Sequence, residues 1–173
     1  MDFKDLVQKR RSIRQFTDEP LLPADVQTIL RAGLMSPTSK CSRAWQFIVV
    51  ENKDTLEKLS QCKLSGAQFV SNAPLAVVVM ADTEKSEAPI EDASIAAVTM
   101  QYQAADLGLG SCWAQIRGRF AEDGTPSEEI VRQLLHCDDH LLPVAIIALG
   151  HPAITRKPQD EEKLLWENVK VQE

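Results

Sequence analysis

Near its start the chain reads Arg10-Arg11-Ser12-Ile13-Arg14-Gln15-Phe16, three guanidiniums and a hydroxyl within five residues. Guanidiniums hold phosphate oxygens by charge-assisted, forked hydrogen bonds, and a neighbouring hydroxyl adds a further donor. The run therefore carries the donor set of a phosphate site. A solvated basic turn accounts for the same residues and is the more ordinary outcome of such a cluster. Nucleic acid is a third reading, but the net charge of −6 withholds the positive field that nucleic acid and anionic membranes require. One local pocket for one phosphate is compatible with that charge.

The other chemistry-bearing residues give weaker signals. Gly108-Leu109-Gly110 lacks the third glycine of a dinucleotide loop, and it follows a helical pattern instead of joining a strand to a helix. It reads as a helix cap leading into a strand, where two missing side chains let a flat ligand approach the backbone. His136 and His140 have a spacing that can share a helix face, but Asp138 and Asp139 favour ending a helix. The segment reads as a helix terminus and polar turn, with no metal site. Cys137 beside His136 finds no third group to orient a nucleophilic pair. Trp45, Trp113 and Trp166 read as core or interface residues. Cys41, Cys62, Cys112 and Cys137 form no CxxC pair and are too widely spaced for a zinc knuckle. With no signal-like apolar core in MDFKDLVQKR and no bilayer-length run, reduced thiols in a cytoplasmic protein are the expectation.

The elements that must position these residues follow from periodicity. At 173 residues with 44% hydrophobic residues, one domain can build a core without staples. Phe3, Leu6 and Val7 predict a short helix, capped by Asp2 and ending near Arg10. Pro23 opens a second helix carrying Val26, Ile29, Leu30 and Leu34, stopped by Pro37. Trp45 to Val50 is a buried strand, Leu56 and Leu59 mark a third helix, and Leu75 to Ala81 is a second strand. Glu91 to Leu107 reads as the longest helix, closed by Gly108. Ser111 to Ile116 is a third strand. Thr125-Pro126-Ser127-Glu128 predicts a capping box before Ile130, Val131, Leu134 and Leu135. Val144 to Leu149 is a fourth strand. The tail from Thr155 to Glu173 is highly charged, with Leu164, Leu165, Trp166, Val169 and Val171 spread along it. By itself it can pack on its own chain, the more general outcome, or on a partner.

Five segments together resemble the nitroreductase family. Residues 10–16 resemble its RRSxRxF opening, and Ser36-Pro37-Thr38-Ser39-Lys40-Cys41-Ser42-Arg43-Ala44-Trp45-Gln46-Phe47 its SPSxxNxQPWxF stretch. Asn72-Ala73-Pro74, Gly108-Leu109-Gly110-Ser111-Cys112-Trp113 and Leu149-Gly150-His151-Pro152, with Arg156-Lys157 beyond, resemble its remaining elements in order and spacing. Each is weak alone; five across nearly the whole chain are specific.

The resemblance implies an α+β sandwich, with a central mixed, mainly antiparallel sheet flanked by helices. It implies one domain over 1–173, whose 155–173 extension packs on the partner of a homodimer. It implies FMN at the dimer interface. Arg10 and Ser12 grip its phosphate, Arg14 reaches the pyrimidine end, the backbone near Trp113 and Ala114 faces the reactive edge, and Arg11 and Cys112 are further cofactor-binding residues. Arg156 or Lys157 adds a phosphate contact, and Ser39, Cys41 and Arg43 come from the partner. The implied activity is ping-pong reduction of a nitroaromatic, quinone or related small acceptor by NADH or NADPH, without nucleic acid, membrane or metal. Cys41, Arg43 and Ala44 replace the family's asparagine, glutamine and proline. Cysteine is a poor hydrogen-bond partner, so a flavin-binding protein without turnover, a sensor or store, is the alternative reading.

Overall fold

The computed structural model describes residues 1–172. At its centre lies β2 (Leu75–Asp82), all of whose residues are buried. A strand covered on both faces needs a continuous apolar run, and Leu75 to Ala81 supplies it. This strand pairs antiparallel with β1 (Trp45–Val50) on one side and β4 (Leu141–Gly150) on the other. In turn β4 pairs antiparallel with β3 (Gly110–Gln115), giving the order β1-β2-β4-β3. The predicted mixed sheet thus resolves into antiparallel ladders, and the parallel element is a single bridge between Ser12 and Ser111. Pro143 brings no N–H to the ladder, and the register shifts beside its partner, between Val79 and Met80.

Alternation along the strands divides the core in two. Leu75, Val77, Val79 and Ala81 pack with Ile29 of α2 (Pro23–Leu34) and Ala97 and Met100 of α4 (Pro89–Asp106). Ala76, Val78 and Met80 face Leu56 and Leu59 of α3 (Lys53–Ser60) and Val131 of α5 (Ser127–Leu135). The short α1 (Phe3–Lys9) lies on α4. Close contact between α2 and α4 depends on Gly33, where a Cβ would stand 2.9 Å from Met100 Cγ. No helix is long and apolar enough to cross a membrane among the described residues.

Two predicted caps are not formed. Asp2 precedes α1 but makes no side-chain cap. The residues of the predicted capping box turn elsewhere. The Thr125 N–H donates to Asp123, Glu128 accepts from the Gly118 N–H, and Ser127 Oγ is buried without a partner. Local sequence fits the box, but tertiary packing draws Ser127 into the core instead.

Beyond β4 the chain returns along α1. Gln159 N–H donates to the Gln8 carbonyl at 2.8 Å, and the Gln8 amide donates to the Gln159 carbonyl at 3.3 Å. From there Leu164, Leu165, Trp166, Val169 and Val171 stand out in solvent, Trp166 at 69% exposure. Five large apolar side chains thus stand open on one segment of the single chain.

Candidate functional site

Four of the five motif segments meet at one corner of the sheet. The Ile13 N–H donates to the Ser111 carbonyl at 2.9 Å, beside the Ser12–Ser111 bridge. The Thr17 N–H donates to His151, and Phe16 bridges Pro152. Gly150 exists because of this crowding: a Cβ there would lie 2.7 Å from Pro74 and 2.9 Å from Phe16. Gly110 has the same role, since its missing Cβ would meet Ile13 at 2.9 Å. The space expected there for a flat ligand is therefore filled by Ile13, whereas Gly108, with φ +76°, has nothing within 4 Å.

This packing spreads the basic residues over two hollows. Arg10 and Arg156 line a cavity of about 190 Å³ together with Gly108, Gly110 and Ser111. Arg14 opens onto a cleft of about 730 Å³, with Phe16, Ser71, Asn72 and Pro74. Its guanidinium sits 5.8 Å from the Phe69 ring centre, and that of Arg10 sits 5.9 Å from Tyr102, both in cation–π range. Arg11 borders the smaller cavity, but its guanidinium donates to the backbone carbonyls of Lys157 and Pro158. Lys157 contributes that carbonyl and does not line the cavity.

Cys112 is buried with Ala114 on the α3–α5 side of the sheet. Burial pushes its thiol above the usual range, while the charges of Arg14 and Arg10 and the Ser12 side chain pull it back. The neighbouring edge of β3 turns alternate backbone groups away from β4. Ser111 presents its carbonyl outward to Ile13, and Gln115 presents its own to the ammonium of Lys63 at 2.9 Å. Alternation turns the Trp113 backbone outward too, and that of Ala114 inward to β4. The Trp113 indole lies on the opposite face of the sheet and donates to Gln115 Oε1 at 2.9 Å. Lys63 is only 9% exposed, and desolvation lowers its pKa. Nothing in its local sequence, Gln61-Cys62-Lys63-Leu64, marks it.

The fifth segment sits elsewhere. Lys40, Cys41 and Arg43 all adopt positive φ (50°, 56° and 51°) without being glycine. Such residues cost roughly 1–2 kcal/mol each, so the turn persists only because its surroundings hold it. The holder is Asp92, 2% exposed in the first turn of α4. It accepts from the Ser39 N–H at 2.7 Å, the Ser42 hydroxyl at 3.1 Å and the Ser86 hydroxyl at 2.8 Å. The Arg43 N–H donates to Thr38 Oγ1 at 3.0 Å. Cys41 is exposed, as is the Arg43 side chain.

Within one chain this turn and the basic corner are far apart. Trp45, next to the turn, pairs with Ala81, whereas Ser111 reaches Leu75 through Leu149. Six residues of β2 separate those rows, about 20 Å, and three strand spacings, about 14 Å, separate β1 from β3. The structure brings Arg10, Ser12, Arg14, Cys112 and Arg156 together and leaves Ser39, Cys41 and Arg43 at the opposite corner. At the end of α5, His136 is left-handed (φ 53°) and the helix stops at Leu135. The two histidines therefore do not share a helix face, and His140 lies 3.9 Å from Asp82 instead.

Residues 7–68 and 60–151 match the sequence model of the nitroreductase family, and the chain belongs to that family. An FMN-dependent nitroreductase from Clostridium difficile R20291 superposes with a TM-score of 0.94 at 40% identity, over 97% of this chain and 98% of that one. A Methanothermobacter thermautotrophicus protein, provisionally named NADH dehydrogenase/NAD(P)H nitroreductase, is 34% identical over 156 residues, 88% of this chain and 78% of the relative. An FMN reductase (NADPH) from Bacillus subtilis is 27% identical over 170 residues, 86% of this chain and 65% of the relative.

Proposed function

We propose that the protein is an FMN-dependent oxidoreductase of the cytoplasm. It takes electrons from NADH or NADPH and passes them to a nitroaromatic, quinone or related small acceptor in a ping-pong cycle. The observation that carries this reading is a fold that superposes on an FMN-dependent nitroreductase, in which Arg10 and Arg156 line one cavity beside the Ser12–Ser111 bridge. The residues present fit FMN. The small cavity offers two guanidiniums and an uncrowded Gly108 for a phosphate, and the larger cleft offers Arg14 beside an aromatic and amide lining. When bound, FMN supplies the centre that accepts a hydride from the nicotinamide and later yields electrons to the acceptor.

The chain's own residues then have separable tasks. Arg10 and Arg156 hold the phosphate with Ser12, and Arg156 takes precedence over Lys157 because it alone of the two lines the cavity. Arg14 supplies a cation at the pyrimidine end, where reduction leaves negative charge. Arg11 contributes indirectly, by tying residues 157 and 158 beside the pocket. The edge backbone at Trp113 faces the reactive part of the ring. Residues 39–43 serve the pocket of a second copy, and the 155–173 extension, with its open apolar side chains, packs on that copy. Each chain is then one domain with an exchanged tail.

Cofactor extracted from the purified protein and run against standards tests the reading. FMN is expected, and FAD or no flavin would overturn it. Oxidation of NADH and NADPH with a generic quinone then distinguishes an enzyme from a flavin store.

A further inference from the structure

We infer that Asp92 is a positioning residue for the flavin site: it holds the turn at residues 39–43 in the shape that reaches the other chain's cofactor. The inference rests on the reading that this turn meets the flavin of a second copy. Its own evidence is independent of that reading. Asp92 is a buried carboxylate whose hydrogen-bond partners are neutral: one backbone N–H and two hydroxyls. Charge buried without a cation is retained only where hydrogen bonds satisfy it. Here two of those bonds, from Ser39 and Ser42, bracket Lys40 and Cys41, which are left-handed. The third, from Ser86, fastens the loop before α4 to the same oxygen that Ser42 uses.

A hydrophobic residue at 92 would fill the space and leave the turn free to relax. The carboxylate instead keeps three pieces of the chain in one arrangement: the turn, the approach to α4, and α4 itself. The N-terminus of α4 favours a negative charge at this point. The consequence reaches Arg43, which follows Ser42 directly and also departs with positive φ. Its side chain emerges in a direction that the Asp92 bonds determine.

Asp92→Asn tests this in the full-length protein. The asparagine can still accept from Ser39, but its amide turns a donor toward the Ser42 and Ser86 hydroxyls. Two readouts are needed. In limited trypsin digestion without flavin, cleavage after Lys40 and Arg43 should accelerate, while other sites keep the parent rate. In fluorescence titration of the apoprotein, FMN affinity should fall roughly tenfold, about one hydrogen bond of positioning. An Arg43→Ala change added to Asp92→Asn should weaken binding by less than the two single effects combined. Unchanged cleavage at the turn, cleavage rising equally at all sites, or additive effects on FMN affinity would each overturn the inference. If Asp92→Asn does not fold, Ser42→Ala removes one donor and should give the same pattern on a smaller scale. A parent protein that binds no FMN defeats the functional reading alone, and the digestion pattern still decides whether Asp92 holds the turn.

Discussion

The guanidinium of Arg11 donates to the backbone carbonyl of Lys157, and it reaches that of Pro158 at 3.3 Å. One arginine of the basic run is thus committed to the start of the tail, while Arg10, its neighbour, lines the small cavity with Arg156. Side by side in sequence, the two should fail differently. Arg10→Ala should weaken FMN binding by one to two orders of magnitude, the loss of a charge-assisted phosphate contact of about 1.5–3 kcal/mol. Arg11→Ala should leave the phosphate contact in place and speed proteolysis between residues 157 and 163. Flavin titration beside timed digestion separates them; identical behaviour would refute the division.

Arg14 faces the larger cleft and leans on Phe69. Arg14→Ala should retain some FMN yet be reduced by NADH about 10²-fold more slowly, from a loss of about 2–3 kcal/mol at the developing charge. Stopped-flow reduction under anaerobic conditions measures it. A parent-like rate would move Arg14 away from the pyrimidine end.

Removing the chain from Lys163 onward should abolish the dimer and the flavin together. The exposed Leu164, Leu165, Trp166 and Val169 can each contribute about 1.5–3 kcal/mol when buried on a partner. Sedimentation and flavin absorbance on the truncated protein check both effects. A monomer that keeps its FMN would put the whole pocket in one chain.

Acid should act through Asp82. Lys85, donating at 2.8 Å, holds its carboxyl below the ordinary 3.8; burial opposes this, and the Glu84 N–H and His140 assist. A depressed folded-state pKa contributes stability above the unfolded value, and that contribution disappears as pH falls through the folded one. The parent Tm should therefore decline below about pH 4. Asp82→Asn should start lower at neutral pH and decline less steeply. Parallel Tm curves for the two proteins would disprove the linkage.

Thiol chemistry should single out Cys41. It is exposed, whereas Cys62 and Cys112 are buried, and burial pushes the Cys62 thiol up to about 11. At neutral pH an alkylating reagent should label Cys41 first, with Cys62 and Cys112 protected until unfolding. If the turn meets flavin, added FMN should slow the labelling of Cys41. Mass spectrometry of timed samples reads both.

Most strands and helices were legible because each is a local pattern. The apolar run of Leu75 to Ala81 admits only a doubly covered strand, and Gly108 does close α4 with positive φ. What escaped depends on distance along the chain. Asp92 meets Ser39 and Ser42 across 53 and 50 positions, and no local rule pairs them. Lys63 finds its partner 52 positions away. The capping box at Thr125 failed for the converse reason, a correct local pattern overridden by packing around Ser127. Gly110 was legible as a close approach, but the approaching group is Ile13 of the same chain.

The separation of the basic corner from the strained turn also bears on genetics. In the proposed dimer each pocket draws Arg10 from one chain and residues 39–43 from the other. A chain damaged at Arg10 and a chain damaged at Arg43, each inactive as a homodimer, would then assemble into a mixed pair with one pocket carrying both lesions and one carrying neither. Co-expressing the two alleles should recover up to half the activity of each mixed dimer, an interallelic complementation that a pocket confined to one chain forbids.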